Sequence, residues 1–207
     1  MPEYQTPRHN PSREQGPFIQ RTIAFFDGQN LFHRAKEAFG YNYPNYEPVK
    51  LAKKICSQQG WELKETRFYT GVPKQEDDSY LNHFWNTKLA HYCRLYGKNA
   101  FWKFTRPLQD GREKGIDVRI ALDLVRLARE NKYDVGLIFS QDQDLSEAVK
   151  DVNDFEKKQR WLRLACAYPE NPDFPAPIHG THLSIPISKE MYDDCIDTRD
   201  YWPKSNR

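Results

Sequence analysis

The stretch T-I-A-F-F-D-G-Q-N, residues 22–30, decides the fold. Ile23, Ala24, Phe25 and Phe26 are apolar without alternation, as in a strand covered on both faces in a parallel sheet. Asp27 stands where the run stops. Gly28 can take the backbone angles of a sharp turn, and Gln29 and Asn30 can open a helix. A carboxylate is thereby held at the carboxyl end of a buried strand, the end at which open α/β sheets bind ligands, which makes Asp27 the first candidate for chemistry.

Outward from this stretch, helical spacing runs through Leu31, Phe32, Ala35, Ala38 and Phe39 to a stop at Gly40, and a second helix runs from Pro48 to Gly60. Residues 61–72 alternate as a strand. A crossover helix follows, capped by Asp77 or Asp78 and ended by Gly97, and residues 100–106 return as a strand. A charged loop, residues 107–114, leads into the clearest helix, residues 115–131, with Asp117 at its start. Val135 to Phe139 repeats the buried-run pattern and delivers Ser140, Gln141, Asp142, Gln143 and Asp144. Residues 145–152 read as a helix and 161–167 as the last strand. Residues 169–187, with five of the fourteen prolines, read as an irregular connection before a short helix capped by Ser188. The alternation implies a three-layer α/β/α fold with a central, mostly parallel sheet and right-handed crossovers.

The length of 207 residues fits one domain with extensions: a proline-rich flexible arm over 1–20, the domain over 21–197, and a polar, loose tail over 198–207. A net charge of +2 is silent about local clustering, since a basic groove beside acids would cancel in the sum. Cys56, Cys93, Cys166 and Cys195 have neither zinc-finger nor disulfide-framework spacing and read as packing residues in a reduced, cytoplasmic protein. No run is long enough to span a bilayer, so no membrane partner is expected.

Asp27, Asp142 and Asp144 close two buried strands, and Asp117 opens a helix entered from the same side. Clustered carboxylates repel unless a cation is present, and oxygen ligands suit hard Mg²⁺ or Mn²⁺. Each acid also has a plainer use: Asp144 with Glu147 makes a capping box, and Asp117 favours a helix dipole. Asp123, flanked by Arg119 and Arg126, reads as a surface ion pair outside the site.

The ordered set F-F-D-G-Q-N, K-G-I-D opening a helix, and V-G-L-I-F-S-Q-D-Q-D-L resembles the NYN domains of the PIN-like ribonuclease superfamily, over about residues 21–167. The resemblance implies metal-dependent cleavage of RNA, single-stranded or structured, as an endonuclease. It places metal-binding acids at Asp27, Asp117, Asp142 and Asp144, and Asn30 as a polar site residue. The family has Gly where this chain has Gln141. Ser140, Arg106, Arg112 and Lys114 are candidate substrate contacts, and Tyr41, Tyr43 and Tyr46 candidate base-stacking groups. Self-association is left open. The competing readings are a non-catalytic RNA- or protein-binding module on the same fold and, with less support, a phosphatase needing a second Asp where Gln29 stands.

Overall fold

The computed structural model describes residues 16–171, 173 and 176–204. Of the proposed N-terminal arm, residues 1–15 lie outside the described residues. Strand β1 (Arg21–Asp27) leads into helices α1 (Gly28–Phe39) and α2 (Pro48–Gln59), then β2 (Glu62–Val72), α3 (Ser79–Tyr96), β3 (Phe101–Pro107) and α4 (Ile116–Arg129). Strand β4 (Val135–Phe139), α5 (Ser146–Lys158), β5 (Arg163–Pro169), β6 (Leu183–Ile187) and α6 (Lys189–Asp193) complete the chain.

The six strands form one sheet in the order β3-β2-β1-β4-β5-β6, and every pairing is parallel. Parallel pairing needs a crossover on one face or the other, and the unalternating runs are what a sheet covered on both faces requires. In β1, Ala24 and Phe26 join Leu31, Val49, Phe84 and Tyr192 in one core, while Ile23 and Phe25 join Ile120, Leu124, Leu145 and Val149 in the other. Helices α1, α2, α3 and α6 therefore cover one face, and α4 and α5 the other. Phe26 lies at the centre of its layer, stacked on Phe139 at 3.8 Å between ring centroids and 10° between planes.

The strand order reverses between β1 and β4, the topological switch point of a doubly wound sheet. Phe26 pairs with Phe139 in that register, so the residues that follow, Asp27 and Ser140, emerge side by side.

The described residues revise four sequence expectations. Residues 183–187 are a sixth strand rather than part of an irregular connection, and Pro186 is tolerated because β6 is an edge strand. The polar tail packs down at Tyr201, which is 5% exposed and donates to Asp197, while Trp202 stacks on Phe84 at 4.5 Å. Tyr46 is buried and donates to the Gly28 carbonyl, and Tyr41 stacks on Tyr192 at 5.3 Å, so neither is a free stacking group; Tyr43 stays exposed. Asp123 is buried at the centre of an ion-pair cluster, bonded to Arg67, Arg119 and Arg126 at 3.0–3.2 Å and to the Tyr69 hydroxyl. Sequence spacing showed its two helical partners and could not show the strand partners beneath it.

Candidate active site

Asp27 is both the last residue of β1 and the N-cap of α1, its Oδ1 accepting from the Asn30 amide at 3.0 Å. Gly28 is needed here for space rather than for an unusual backbone angle. A Cβ would stand 2.7 Å from the Phe68 ring and 3.0 Å from the Tyr69 carbonyl. The helix thus starts directly over β2, and the carboxylate is held 6% exposed in the crevice.

Across the switch point, the Ser140 hydroxyl donates to Asp27 Oδ2 at 3.3 Å and accepts from the Asp142 amide at 3.1 Å. The Asn30 side chain accepts from the Gln141 amide at 2.9 Å, tying the start of α1 to the β4 loop. Gln141 is buried, its side chain donating to the Ala176 carbonyl. Asp142 accepts from the Asp144 amide at 3.0 Å and opens a single 3₁₀ turn, Gln143–Leu145, before α5. The capping role suggested for Asp144 is therefore taken one turn earlier by Asp142; Asp144 itself is exposed. Ser140, expected to meet substrate, is 2% exposed and positions Asp27 and Asp142 instead.

Helix α4 begins at Gly115, whose left-handed φ of 71° permits the turn into the helix. Asp117 lies in its first turn, half-buried. Sequence reasoning missed Glu113. It bends back from the loop before α4 to accept from the Gly71 amide and, at 3.5 Å, from the Thr70 hydroxyl. A Cβ at Gly71 would stand 2.6 Å from the Glu113 side chain, so the glycine near the carboxyl end of β2 was the available signal, since a strand glycine marks a close approach.

Electrostatics group these acids. Burial pushes the Asp27 carboxyl up to about 6; the Asn30 amide and Ser140 hydroxyl pull it down, and Asp142 and Asp117 push it further up. Burial likewise raises Glu113 to about 7, with the Gly71 amide opposing and Asp27 and Asp117 adding repulsion. Asp27, Glu113, Asp117 and Asp142 thus share one field, and Asp144 stands at its exposed rim. Among the described residues, no three acid, histidine or cysteine side chains stand close enough to ligate one ion directly. The donor set fits a hydrated hard cation: all oxygen, partly buried, and carrying negative charge that its hydrogen bonds do not fully offset. Such an ion needs only one or two carboxylates because it retains waters.

On the β3 side, Arg106 is exposed and donates to the Lys114 carbonyl at 3.3 Å, with Arg112 and Lys114 exposed on the adjoining loop. A cavity of about 930 Å³ opens beside them, lined by Lys74, Asp77, Arg106 and the Leu108–Gly111 turn.

An all-parallel open sheet with acids at its switch point defines the class: a doubly wound α/β domain with a ligand crevice at the strands' carboxyl ends. The NYN domain family model matches residues 21–169, and the chain belongs to that family. No functionally curated protein matches it. A crystal structure of a protein of unknown function from Vibrio parahaemolyticus is similar in fold, with a TM-score of 0.51 at 18% identity over 91% of this chain and 98% of the other. Among the described residues, no helix is long and apolar enough to cross a membrane.

Proposed function

We propose that this protein is a metal-dependent ribonuclease that cuts RNA as an endonuclease without a covalent nucleophile, using a hydrated Mg²⁺ or Mn²⁺ held in the field of Asp27, Asp117 and Asp142 with one or two of them as direct ligands. The reading is carried by Asp27: a carboxylate 6% exposed at the switch point, raised to about 6 by burial and by its acidic neighbours, is an anion whose site lacks a matching cation. Family membership supports a nuclease-related role.

When bound, such an ion supplies an activated water for in-line attack on phosphorus and neutralises charge on the leaving oxygen. The chain's own residues supply the rest. Ser140 and Asn30 fix the two loops that carry Asp27 and Asp142. Asp144, exposed at the rim, would add negative charge to the field that holds the ion. Glu113, raised to about 7, can take a proton near neutral pH at its carboxylate. Exposed Arg106, with Arg112 and Lys114 on the adjoining loop, would bind the phosphates of the substrate.

The test is incubation of end-labelled single- and double-stranded RNA with the full chain in Mg²⁺, Mn²⁺ or EDTA. Internal cuts that need the ion and vanish in Asp27→Asn and Asp142→Asn are expected. Wild-type protein that binds RNA and never cuts it under either ion would establish the binding module instead.

A further inference from the structure

An acidic crevice repels the polyanion it is to cut, so a nuclease of this design needs cationic and stacking groups set beside the acids. Edge strand β3 provides them. Trp102, Phe104 and Arg106 alternate on its α4-side face, the two rings nearly parallel at 13° with centroids 6.2 Å apart, and both remain partly exposed. Guanidinium groups interleave with them: Arg119 lies 5.4 Å from the Trp102 ring and 5.0 Å from the Phe104 ring, and Arg106 5.7 Å from Phe104. Arg67 packs 4.7 Å from the Trp102 ring on the sheet side.

The strip is continuous with the candidate site. Arg106 ends it, reaches the Lys114 carbonyl, and packs so closely on Gly115 that a Cβ there would meet its Nη1 at 2.6 Å. Asp117 follows two residues later. The same arginine walls the 930 Å³ cavity at the carboxyl ends of β2 and β3. Asp110 and Gly111, both at positive φ, form a tight turn bridged by Gln109 and Arg112 that shapes its rim.

We propose that the Trp102, Phe104 and Arg106 strip, with Arg119 beside it, is a single-strand track that takes unpaired RNA bases and their phosphates and passes them over Arg106 towards Asp27 and Asp117. The direction of the track rests on the nuclease reading; the binding does not. Half-buried Trp102 and Phe104 can stack through their exposed parts only on bases freed from pairing, and arginines add phosphate contacts and stacking of their own. Arg119 is paired with Asp123, so the charge that favours a polyanion over an apolar protein surface comes from exposed Arg106 with Arg112 and Lys114 on the adjoining loop.

Binding of fluorescently labelled single-stranded and duplex RNA is measured in EDTA across a salt series, with wild type, Phe104→Leu and Arg106→Gln, each checked for an unchanged melting temperature. Loss of a stacked base is expected to weaken single-strand binding about 5-fold or more in Phe104→Leu. Arg106→Gln is expected to flatten the slope of log affinity against log salt by about 0.7. Should Phe104→Leu fail to fold, the Arg106→Gln slope decides. Unchanged single-strand affinity and slope in both variants, or duplex RNA bound as tightly and by the same residues, would overturn the track even if wild type cuts RNA. Strip-dependent single-strand binding by a protein that never cuts would retire the nuclease reading and leave the track standing.

Discussion

Replacing Asp27 by asparagine removes a charge that the metal-free fold holds at a cost. A carboxyl raised from 3.8 to about 6 has its ionised form disfavoured by about 3 kcal/mol. Asparagine keeps the acceptor for the Asn30 amide and is an equally good N-cap. It replaces the Ser140 acceptor with an NH₂ group, a loss of about 1 kcal/mol. The net expectation at about pH 7.5 in EDTA is a gain of about 2 kcal/mol, or about 4–8 °C in melting temperature for a chain of this size. Sign and pH window follow from the direction of the shift. A raised folded pKa stabilises fully below the unfolded value of 3.8 and is lost as pH rises through about 6, so the variant's gain should shrink to under about 1 kcal/mol at about pH 5 and vanish as pH falls to about 4.5. Differential scanning calorimetry of both proteins at the two pH values decides the matter. A loss of stability at the higher pH would refute the reasoning and mark Asp27 as a structural acid.

Three further outcomes are expected. Glu113→Gln should likewise raise the metal-free melting temperature at about pH 8, because burial and the neighbouring acids hold Glu113 at about 7; wild-type stability should accordingly fall as pH rises from about 5 to 8, which denaturant titration across that range checks. Asp123→Asn should cost about 3 kcal/mol, since it removes the one buried charge that Arg67, Arg119 and Arg126 share and leaves Arg67 to its pair with Glu65; because Arg119, Arg126 and Tyr69 outweigh burial and hold Asp123 below the usual carboxylate range, its contribution is present above about pH 4 and lost below, and urea unfolding at neutral pH reads it. Gly28→Ala should cost about 1–3 kcal/mol by overpacking against Phe68, visible as a lower urea midpoint with an unchanged slope.

The two buried runs were the most legible part of the chain. Burial on both faces leaves no alternation, and the acids that end Ile23–Phe26 and Val135–Phe139 then have to emerge at one edge of a parallel sheet. Adjacency of Asp27 and Ser140 followed from topology once β1 and β4 were neighbours. What could not be read depended on contacts between distant segments. Glu113 sits among charged residues that look solvated, and only its reach to Gly71 buries it. Asp123 looked exposed because its helical neighbours are arginines, whereas Arg67 and Tyr69 approach from the sheet. Strand β6 is short and carries a proline, features that local pattern assigns to a loop and that pairing with β5 overrides. Tyr201 is buried by an aromatic cluster around Phe84 and Tyr92 that no local signal announces.

The most direct test of the central claim, that the acids at the switch point hold a divalent ion, is Mn²⁺ binding followed by electron paramagnetic resonance at about pH 7.5, without RNA. Wild type should deplete free Mn²⁺ with saturation, and Asp27→Asn and Asp142→Asn should each weaken that binding at least about tenfold while both variants remain folded. Equal Mn²⁺ binding by all three proteins would contradict it.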